Sequence, residues 1–364
     1  MRRGHFEALR PVCPRCRATG AGNFPVLLAA ADVEDETGVR FGALVCSNAA
    51  CQLEFPIIDG APILVTDVRA WLAGNFAAVN ARDDLPDRAL SQLGDCVGAD
   101  SAHNAFRQHQ SSYAWDHWGA FDDDSGGANA SPGGVARLLR AGLELLGPSP
   151  LVEGPALDAP VLDVGTACGR AAFDLAASTG RLTLGVDLNW PLLKIARQAL
   201  ERRAVSYPRR RIGVVFDQRR FSVAVPCAEL VDFWVADALA LPFADQRFGL
   251  ISALNLLDCV GSPVGLLQTL DRLTAAGGAA VLATPFDWSP AATPMEAWIG
   301  GHSQRGPDLG AADALLRRLL TPGAHPQSLT RLRLAAESQQ EWRVRLHERA
   351  VMTYVSALFG LKTQ

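Results

Sequence analysis

The chain has 364 residues, a formal net charge of −4 at pH 7 and a hydrophobic fraction of 49%. This length fits two domains or one large one, and the slightly acidic balance argues against a dedicated nucleic-acid-binding protein. No uncharged apolar run is long enough for a membrane span, and the N-terminal residues show no apolar segment of the signal-peptide type. We therefore expect a cytoplasmic protein without membrane contact, whose thiols stay reduced.

Four of the eight cysteines lie within the first 51 residues and form two closely spaced pairs, Cys13 with Cys16 and Cys46 with Cys51. Where thiols stay reduced, paired cysteines favour a metal site over a disulfide; buried free thiols are the alternative. Four cysteine ligands complete a tetrahedral zinc site and leave no open position for a substrate. Residues 1–66 are therefore predicted to form a small β-rich domain that a structural Zn²⁺ helps to fold.

Residues 67–150 contain apolar spacings typical of helices, interrupted by a loop rich in Asp, Gly and Ser. We interpret this region as a helical connection or cap that packs onto the rest of the chain. In residues 151–364, strands alternate with helices. The strands are continuous apolar runs, as in a parallel sheet covered on both faces, which predicts a doubly wound, Rossmann-like α/β domain. Strands are predicted over 161–165, 182–187, 230–237, 248–254 and 279–285, helices over 169–179, 190–203 and 263–275, and further strands toward the C-terminus.

A loop of small residues, DVGTACG at 163–169, joins the first of these strands to its helix. Small side chains there let a ligand approach the backbone closely, and glycine permits the tight turn. Asp187 ends the second strand, where a carboxylate can accept hydrogen bonds from both hydroxyls of a ribose. Asp237 ends the third strand, where a carboxylate can accept from an adenine amino group. A dinucleotide-binding fold shares the loop and the first acid, but it prefers a Gly-x-Gly-x-x-Gly spacing that this loop lacks.

Together these features resemble the class I S-adenosylmethionine-dependent methyltransferases, over roughly residues 155–364. In that family the first loop holds the methionine part of the cofactor, and the two acids hold the ribose and the adenine. The chain has Ala167 where many members have glycine, which adds only a methyl group. The resemblance implies S-adenosylmethionine as the cofactor. The cofactor-binding residues carried over are Asp163, Gly165, Thr166, Ala167, Gly169, Asp187, Leu188, Asp237, Ala238 and Asn255.

Residues 10–66, with CPRC, the second cysteine pair and FPIIDGAPILV, resemble the small zinc-ribbon proteins that activate methyltransferases. The resemblance implies that a unit found as a separate subunit in some relatives is fused here ahead of the catalytic domain. The four-residue gap in the second pair, Cys46 to Cys51, is longer than the usual two.

Methyl transfer from a sulfonium is a direct displacement, so the enzyme mainly aligns the nucleophile and excludes water. The fourth strand ends in NLLD (255–258), not in the Asn/Asp-Pro-Pro-Tyr/Phe motif typical of enzymes that methylate the adenine amine or a glutamine. Residues 160–358 resemble the histidine N-methyltransferase domain of ovothiol biosynthesis, most distinctively in TPFDW (284–288), WIGG (298–301) and RLHER (345–349). The resemblance implies a small imidazole acceptor.

Several side chains are candidates for the acceptor site. Catalytic roles are expected for Asn255, Asp258, His347 and Glu348, and acceptor-binding roles for Tyr113, Trp118, Trp288, Trp298 and Arg345. For the tryptophans the alternative is core packing, and for His347 and Glu348 it is an exposed position on a strand. His109 could also cover the site from the helical region.

Eight arginines lie between Arg197 and Arg220, and such a run can contact phosphates; a solvated helix end and loop is the alternative. The sequence therefore leaves three functions open. The chain is a methyltransferase acting on a small molecule or a peptide side chain, an rRNA or tRNA base methyltransferase that grips RNA with its zinc ribbon, or a non-catalytic partner protein. Cys168 is expected to be a small loop residue, with a reactive thiol at the helix start as the alternative.

Overall fold

The computed structural model of the protein describes residues 1–20, 24–82, 84–125, 131–147, 156 and 158–363. Its N-terminal part has two short helices, α1 (Arg3–Leu9) and α2 (Pro14–Ala18), followed by an antiparallel meander. The strands of the meander are β1 (Leu27–Asp35), β2 (Gly38–Cys46), β3 (Glu54–Ile58) and β4 (Ala61–Leu64). Asp59 and Gly60 both have positive φ between β3 and β4, as a tight Asp-Gly hairpin turn requires.

Four helices make up the predicted helical region: α3 (Val68–Val79), α4 (Asp87–Val97), α5 (Ala102–Trp118) and α6 (Gly134–Leu145). The Asp67 carboxylate caps α3 by accepting from the Ala70 N–H, and the Ser101 hydroxyl caps α5 by accepting from the Asn104 N–H. Within the described parts of the chain, no helix has the length and apolarity needed to cross a membrane. Residues 126–130 of the loop rich in Asp, Gly and Ser lie outside the described residues.

The rest of the chain alternates strands and helices as predicted. Its elements are β5 (Val161–Val164), α7 (Arg170–Thr179), β6 (Thr183–Asp187), α8 (Trp190–Arg202), β7 (Ala204–Ile212), β8 (Val215–Ser222), β9 (Val231–Ala236), β10 (Phe248–Leu254), α9 (Pro263–Leu273), β11 (Thr274–Thr284), α10 (Ala312–Leu319), β12 (Leu332–His347) and β13 (Ala350–Thr363).

One sheet of 11 strands runs through the described part of the molecule in the order β1-β2-β3-β4-β9-β6-β5-β10-β11-β13-β12. The strands from β4 to β11 in this order are parallel to their neighbours, and β13 returns antiparallel to β11. This arrangement confirms the Rossmann-like α/β fold. Helices cover its faces, so the central strands are buried on both sides, as their apolar sequences require.

The N-terminal meander is continuous with this sheet. Strand β4 lies parallel to β9, with Ile63 opposite Val235 and Leu64 opposite Ala236. Leu44 of the meander is fully buried in the same hydrophobic cluster as Trp234 of the central sheet. The N-terminal region is small, and it shares the hydrophobic core of the α/β part.

The arginine-rich connection between β6 and β9 forms a two-stranded antiparallel ribbon, β7–β8, beyond helix α8. Of the eight arginines, Arg197, Arg209, Arg211, Arg219 and Arg220 make ion pairs with acidic side chains. The Arg209 and Arg219 pairs reach Asp122 and Asp124, in the loop after α5. The run therefore holds the ribbon against neighbouring elements and is not a row of free surface charges.

The last two strands form a hairpin that is longer than the sheet it joins. Strand β11 pairs only with residues 357–362 of β13, so the other end of the hairpin projects beyond the sheet. This projecting part packs against α5, α6 and β7. The C-terminal strands predicted from the alternating sequence are thus present, and they also form part of a wall around the ends of the central strands.

Candidate functional site

A cavity of about 640 Å³ opens at the carboxyl ends of β5, β6, β9 and β10. Ligands of open α/β sheets bind in this position, and the volume lies in the range of small-molecule sites. Nine of the ten predicted cofactor residues line it, namely Asp163, Gly165, Thr166, Ala167, Asp187, Leu188, Asp237, Ala238 and Asn255. Gly169 lies behind the wall, at the start of α7.

The loop after β5 is held in a conformation that favours small residues. Gly165, Ala167 and Gly169 all have positive φ, at 74°, 46° and 86°. A Cβ on Gly169 would lie 2.6 Å from the Cβ of Ala196, so glycine is required there. Ala167 adopts a left-handed conformation that costs an L-residue about 1–2 kcal/mol, which explains why glycine suits this position and alanine can still occupy it.

Asp187 joins this loop to the end of β6. Its Oδ2 accepts a hydrogen bond from the Ala167 N–H and its Oδ1 accepts from the Asn189 N–H, both at 2.8 Å. Burial raises the pKa of this carboxyl. A carboxylate has about four lone-pair positions, so each oxygen keeps one for a ligand hydroxyl in the cavity. This chemistry fits the two hydroxyls of a ribose.

Asp237 and the residues after it form the next part of the wall. The Asp237 Oδ1 accepts from the Leu239 N–H at 2.9 Å, which fixes the turn after β9. Ala238, Leu239 and Leu188 provide apolar surface beside this carboxylate. An apolar slot with one carboxylate at its end fits an adenine ring and its amino group.

Asp163 lies beneath the loop and is almost fully buried. Its Oδ1 accepts a hydrogen bond from the Ser252 hydroxyl at 2.6 Å. Burial raises the pKa of Asp163 to about 6. A cationic group in the cavity would stabilise its ionised form, and the ammonium of the methionine part of S-adenosylmethionine is such a group.

The opposite wall comes from outside the predicted motifs. Helix α5 contributes Tyr113, Asp116 and His117, strand β12 contributes Trp342, and Cys259 follows β10. Nothing in the local sequence pattern singles out Asp116, His117 or Trp342. They reach the cavity because α5 and the projecting hairpin pack over the ends of the strands.

Asp116 ties three elements of this wall together. Its Oδ1 accepts from the Gly134 N–H at 2.7 Å, and its Oδ2 accepts from the Trp342 indole N–H at 2.9 Å. Burial raises the pKa of Asp116 to about 6. With both oxygens engaged, the carboxyl serves to fix α5, α6 and β12 in position.

His117 is buried beside the start of α7. Its Nδ1 accepts a hydrogen bond from the Arg170 N–H at 3.2 Å, and burial lowers the pKa of the imidazole to about 3. The ring is therefore neutral, and its proton is on Nε2. His117 offers a hydrogen-bond donor to the cavity and cannot accept a proton at Nδ1.

Two of the four predicted catalytic residues lie at or near the cavity. Asn255 lines it, with a positive φ of 51° and an Oδ1 that accepts from the Ser356 hydroxyl at 2.9 Å. Asp258 is buried behind Cys259, and its Oδ2 accepts from the Asp287 N–H at 2.7 Å. Burial raises the pKa of Asp258.

His347 and Glu348 are not among the described residues that line the cavity. They lie at the turn of the projecting hairpin, where Glu348 forms an ion pair with Arg211 at 2.6 Å. Arg345 is buried near Tyr207 and Arg209, also outside the cavity wall. The physical reason is the length of the hairpin, which carries its turn past the sheet to the β7–β8 ribbon.

Of the ring-bearing candidates, Tyr113 and His109 both line the cavity. Trp118 is fully buried and donates from its indole N–H to the Cys168 carbonyl at 2.9 Å, so it packs under the cofactor loop. Trp288 and Trp298 stack on each other, with ring centroids 6.0 Å apart, outside the cavity wall. Trp118 is thus packed in the core, whereas Trp288 and Trp298 are half-buried.

The four N-terminal cysteines converge as predicted. Their Sγ atoms all lie within 4.8 Å of one another, with 3.9 Å between Cys13 and Cys51 and 3.8 Å between Cys16 and Cys46. Zn–S bonds of 2.3 Å in a tetrahedron place sulfur atoms about 3.8 Å apart. The Asn48 side-chain amide donates a hydrogen bond to the Cys16 sulfur at 3.8 Å. In zinc sites, hydrogen bonds of this kind hold the ligands in the orientation that the metal needs. The donor set and its spacing fit zinc.

Comparison with known proteins agrees with this geometry. Residues 162–282 match the family model of a methyltransferase domain. No curated protein matches the chain. Phosphoethanolamine N-methyltransferase 2 of Haemonchus contortus, solved with S-adenosyl-L-methionine, is 21% identical, with 51% of this chain and 34% of that chain covered and a TM-score of 0.34.

Two other solved structures are similar over more of the chain. A structure on the conversion of a disulfide bond into a thioacetal group in echinomycin biosynthesis is 20% identical, covering 64% of this chain and 81% of that one, with a TM-score of 0.39. The complex of the Haloferax volcanii Trm112 methyltransferase activator with a methyltransferase is 16% identical. The match covers 68% of this chain and 97% of that chain, with a TM-score of 0.38. Residues 162–282 of the chain therefore form a methyltransferase domain of the S-adenosylmethionine-dependent kind.

Proposed function

We propose that this methyltransferase transfers the methyl group of S-adenosylmethionine to a nitrogen of a small molecule or a peptide side chain, of the imidazole or thiol-imidazole type. One observation carries the proposal. Four aspartates, Asp116, Asp163, Asp187 and Asp237, line the cavity, and the described residues of its wall include no lysine or arginine. A negative cavity favours a cationic sulfonium and a neutral or cationic acceptor, and it disfavours a phosphate.

The cofactor would be held by the residues at the strand ends. Asp187 binds the ribose, Asp237 and Ala238 bind the adenine, and the 163–169 loop faces the methionine part. When bound, S-adenosylmethionine supplies an electrophilic methyl carbon. The acceptor then lies between this loop and the wall formed by Tyr113, His117 and Trp342, which also excludes water.

In this wall, His117 and Asp116 support alignment of the acceptor and not proton abstraction. Because the His117 Nδ1 accepts from Arg170, the Nε2–H can only donate to an acceptor molecule. Both Asp116 oxygens are engaged with backbone and indole N–H groups. A neutral imidazole needs no base before attack, because its nitrogen lone pair forms the new N–C bond and the other ring nitrogen releases its proton afterwards. This wall therefore suits an imidazole nitrogen better than an acceptor that must first be deprotonated.

The resemblance to the histidine N-methyltransferase domain of ovothiol biosynthesis supports the same class of acceptor. The RNA alternative rests on the arginine run, and five of its eight arginines are engaged in ion pairs within the chain. The non-catalytic alternative offers no reason for the cavity and its carboxylates to be arranged as they are.

Transfer of a tritium-labelled methyl group identifies the class of acceptor. The purified chain is incubated with labelled S-adenosylmethionine and a cell extract, which is then separated into RNA, protein and small molecules. We expect label in the small-molecule or protein fraction, and one added methyl group on histidine or a thiol-histidine when these are tested singly by mass spectrometry. Label confined to RNA would contradict the proposal, and no label in any fraction would favour the non-catalytic alternative. The Asp187→Ala variant is the matched inactive control.

We also propose that the four N-terminal cysteines hold one structural Zn²⁺. The support is their mutual sulfur spacing and the closed, four-sulfur donor set. A closed site has no position for a substrate, so this metal would stabilise the fold and take no part in methyl transfer.

A further inference from the structure

A second cavity, of about 370 Å³, lies between helices α3, α5 and α8 and the β7–β8 ribbon. It is separate from the cofactor cavity, although α5 and α8 contribute to both. On α8, Leu192 faces the cofactor cavity, whereas Lys194 and Ile195 face the second one. The volume is large enough for a small molecule.

The second cavity has the opposite charge from the first. Five cationic side chains line it, namely Arg82, Arg107, Lys194, Arg202 and Arg220, and the described residues of its wall include no aspartate or glutamate. Arg82 and Arg220 pair with exposed acids at the rim, Asp84 and Asp87. Among the described residues, Lys194 donates to the Ala81 carbonyl alone, at 3.2 Å.

Arg107 is the most buried of these five groups. Its residue is only 8% exposed, and its hydrogen bond to the Asn104 Oδ1 is long, at 3.4 Å. The guanidinium lies 4.1 Å from the centre of the Phe216 ring. Across the described residues, no carboxylate lies within ion-pair distance of it. Burying a guanidinium without a carboxylate is costly, so this position favours an anion.

His103 provides a second unmatched polar group in the same wall. Its Nε2 is buried and has no hydrogen-bond partner among the described residues. On the other side of the cavity, Phe106, Ile195 and Val205 supply apolar surface. The cavity thus has a polar end, with a buried guanidinium and an unpartnered imidazole nitrogen, and an apolar body.

We infer that this second cavity binds a small organic anion, with its carboxylate, sulfonate or phosphate among Arg107, His103 and Lys194 and its apolar body against Phe106, Ile195 and Val205. The inference does not depend on the nature of the methyl acceptor, because it concerns a different cavity with the opposite charge.

Fluorescence titration with 8-anilinonaphthalene-1-sulfonate tests this site. The full chain is first saturated with S-adenosylhomocysteine, which fills the cofactor cavity. We expect saturable binding of one probe per chain. The uncharged analogue N-phenyl-1-naphthylamine, which keeps the rings and lacks the sulfonate, should bind at least about tenfold more weakly, because it loses a charge-assisted contact.

Variants locate the probe. Lys194→Gln and Arg107→Gln should each weaken sulfonate binding by about tenfold, whereas Arg349→Gln, an exposed arginine in the β12–β13 turn, should leave it unchanged. Because Arg107 is buried, its replacement can prevent folding. Lys194 is half-buried, so the Lys194→Gln variant still tests the site if Arg107→Gln does not fold. Absence of saturable binding, equal binding of the two probes, loss of binding on adding S-adenosylhomocysteine, or unchanged binding by Lys194→Gln would each overturn the inference.

Discussion

Replacement of Asp187 by asparagine tests the cofactor site most directly. Both oxygens of Asp187 accept backbone N–H groups, one from Ala167 in the cofactor loop and one from Asn189 at the start of α8. Asparagine can satisfy only one of them, and its NH₂ group would face the other N–H. The proposed ribose hydroxyls would also lose a charged acceptor. A hydrogen bond to a charged group contributes about 1.5–3 kcal/mol, so the Kd for S-adenosylhomocysteine should rise about 10- to 150-fold.

Calorimetric titration of the wild type and Asp187→Asn measures this change. Because the substitution also disturbs the loop, a cofactor analogue without the ribose 2′-hydroxyl separates the two effects. The wild type should bind 2′-deoxy-S-adenosylhomocysteine more weakly than S-adenosylhomocysteine, and Asp187→Asn should discriminate between them much less. Asp313→Asn, an exposed acid on α10, is the matched control. Equal discrimination by the wild type and Asp187→Asn would refute the ribose assignment, whatever happens to overall affinity.

Three further results are expected. Metal analysis should find about one zinc per chain, and Cys46→Ser should lower both the zinc content and the melting temperature; a metal-free chain of unchanged stability would exclude the site. Burial raises the pKa of Asp163 from 3.8 to about 6, so the folded state holds this proton more tightly, and the resulting stability is present below pH 4 and lost as the pH rises through 6. Asp163→Asn should therefore gain roughly 3 kcal/mol relative to the wild type between pH 4 and pH 7 in urea unfolding, and a constant difference across this range would count against the shift. Burial raises the pKa of the Cys168 thiol far above neutrality, so Cys168→Ser should keep most methyl-transfer activity, and complete loss would show that the thiol takes part.

The elements that could be predicted are those whose sequence pattern is local. Continuous apolar runs mark β6, β9 and β10 to within one residue at each end, because strands buried on both faces must be apolar throughout. The β7–β8 ribbon was not predicted, because its arginines interrupt the alternation that marks a strand. The pairing of β4 with β9 joins residues far apart in sequence, and no local pattern records that neighbour.

The same distinction applies to the site. The cofactor wall could be predicted because its residues follow strand ends, and parallel strands bring their carboxyl ends to one edge. Asp116, His117 and Trp342 could not, because they belong to a long helix and a hairpin whose packing over that edge depends on the whole fold. His347 and Glu348 show the converse case. A distinctive motif marked them, and the hairpin carries them to the Arg211 side chain instead.

The cysteine cluster and the cofactor cavity meet at one segment of the chain. This segment follows Asp237. Its Pro242 carbonyl accepts a hydrogen bond from the Val12 N–H at 2.8 Å. Arg17, next to Cys16, bonds to the Phe243 carbonyl and pairs with Asp245 at 2.9 Å. Since β4 also pairs with β9 directly before Asp237, the N-terminal region supports this turn from both sides. A metal that fixes α2 would therefore also restrict the residues proposed to face the adenine, which gives a physical reason for joining a cysteine-rich unit to this methyltransferase domain.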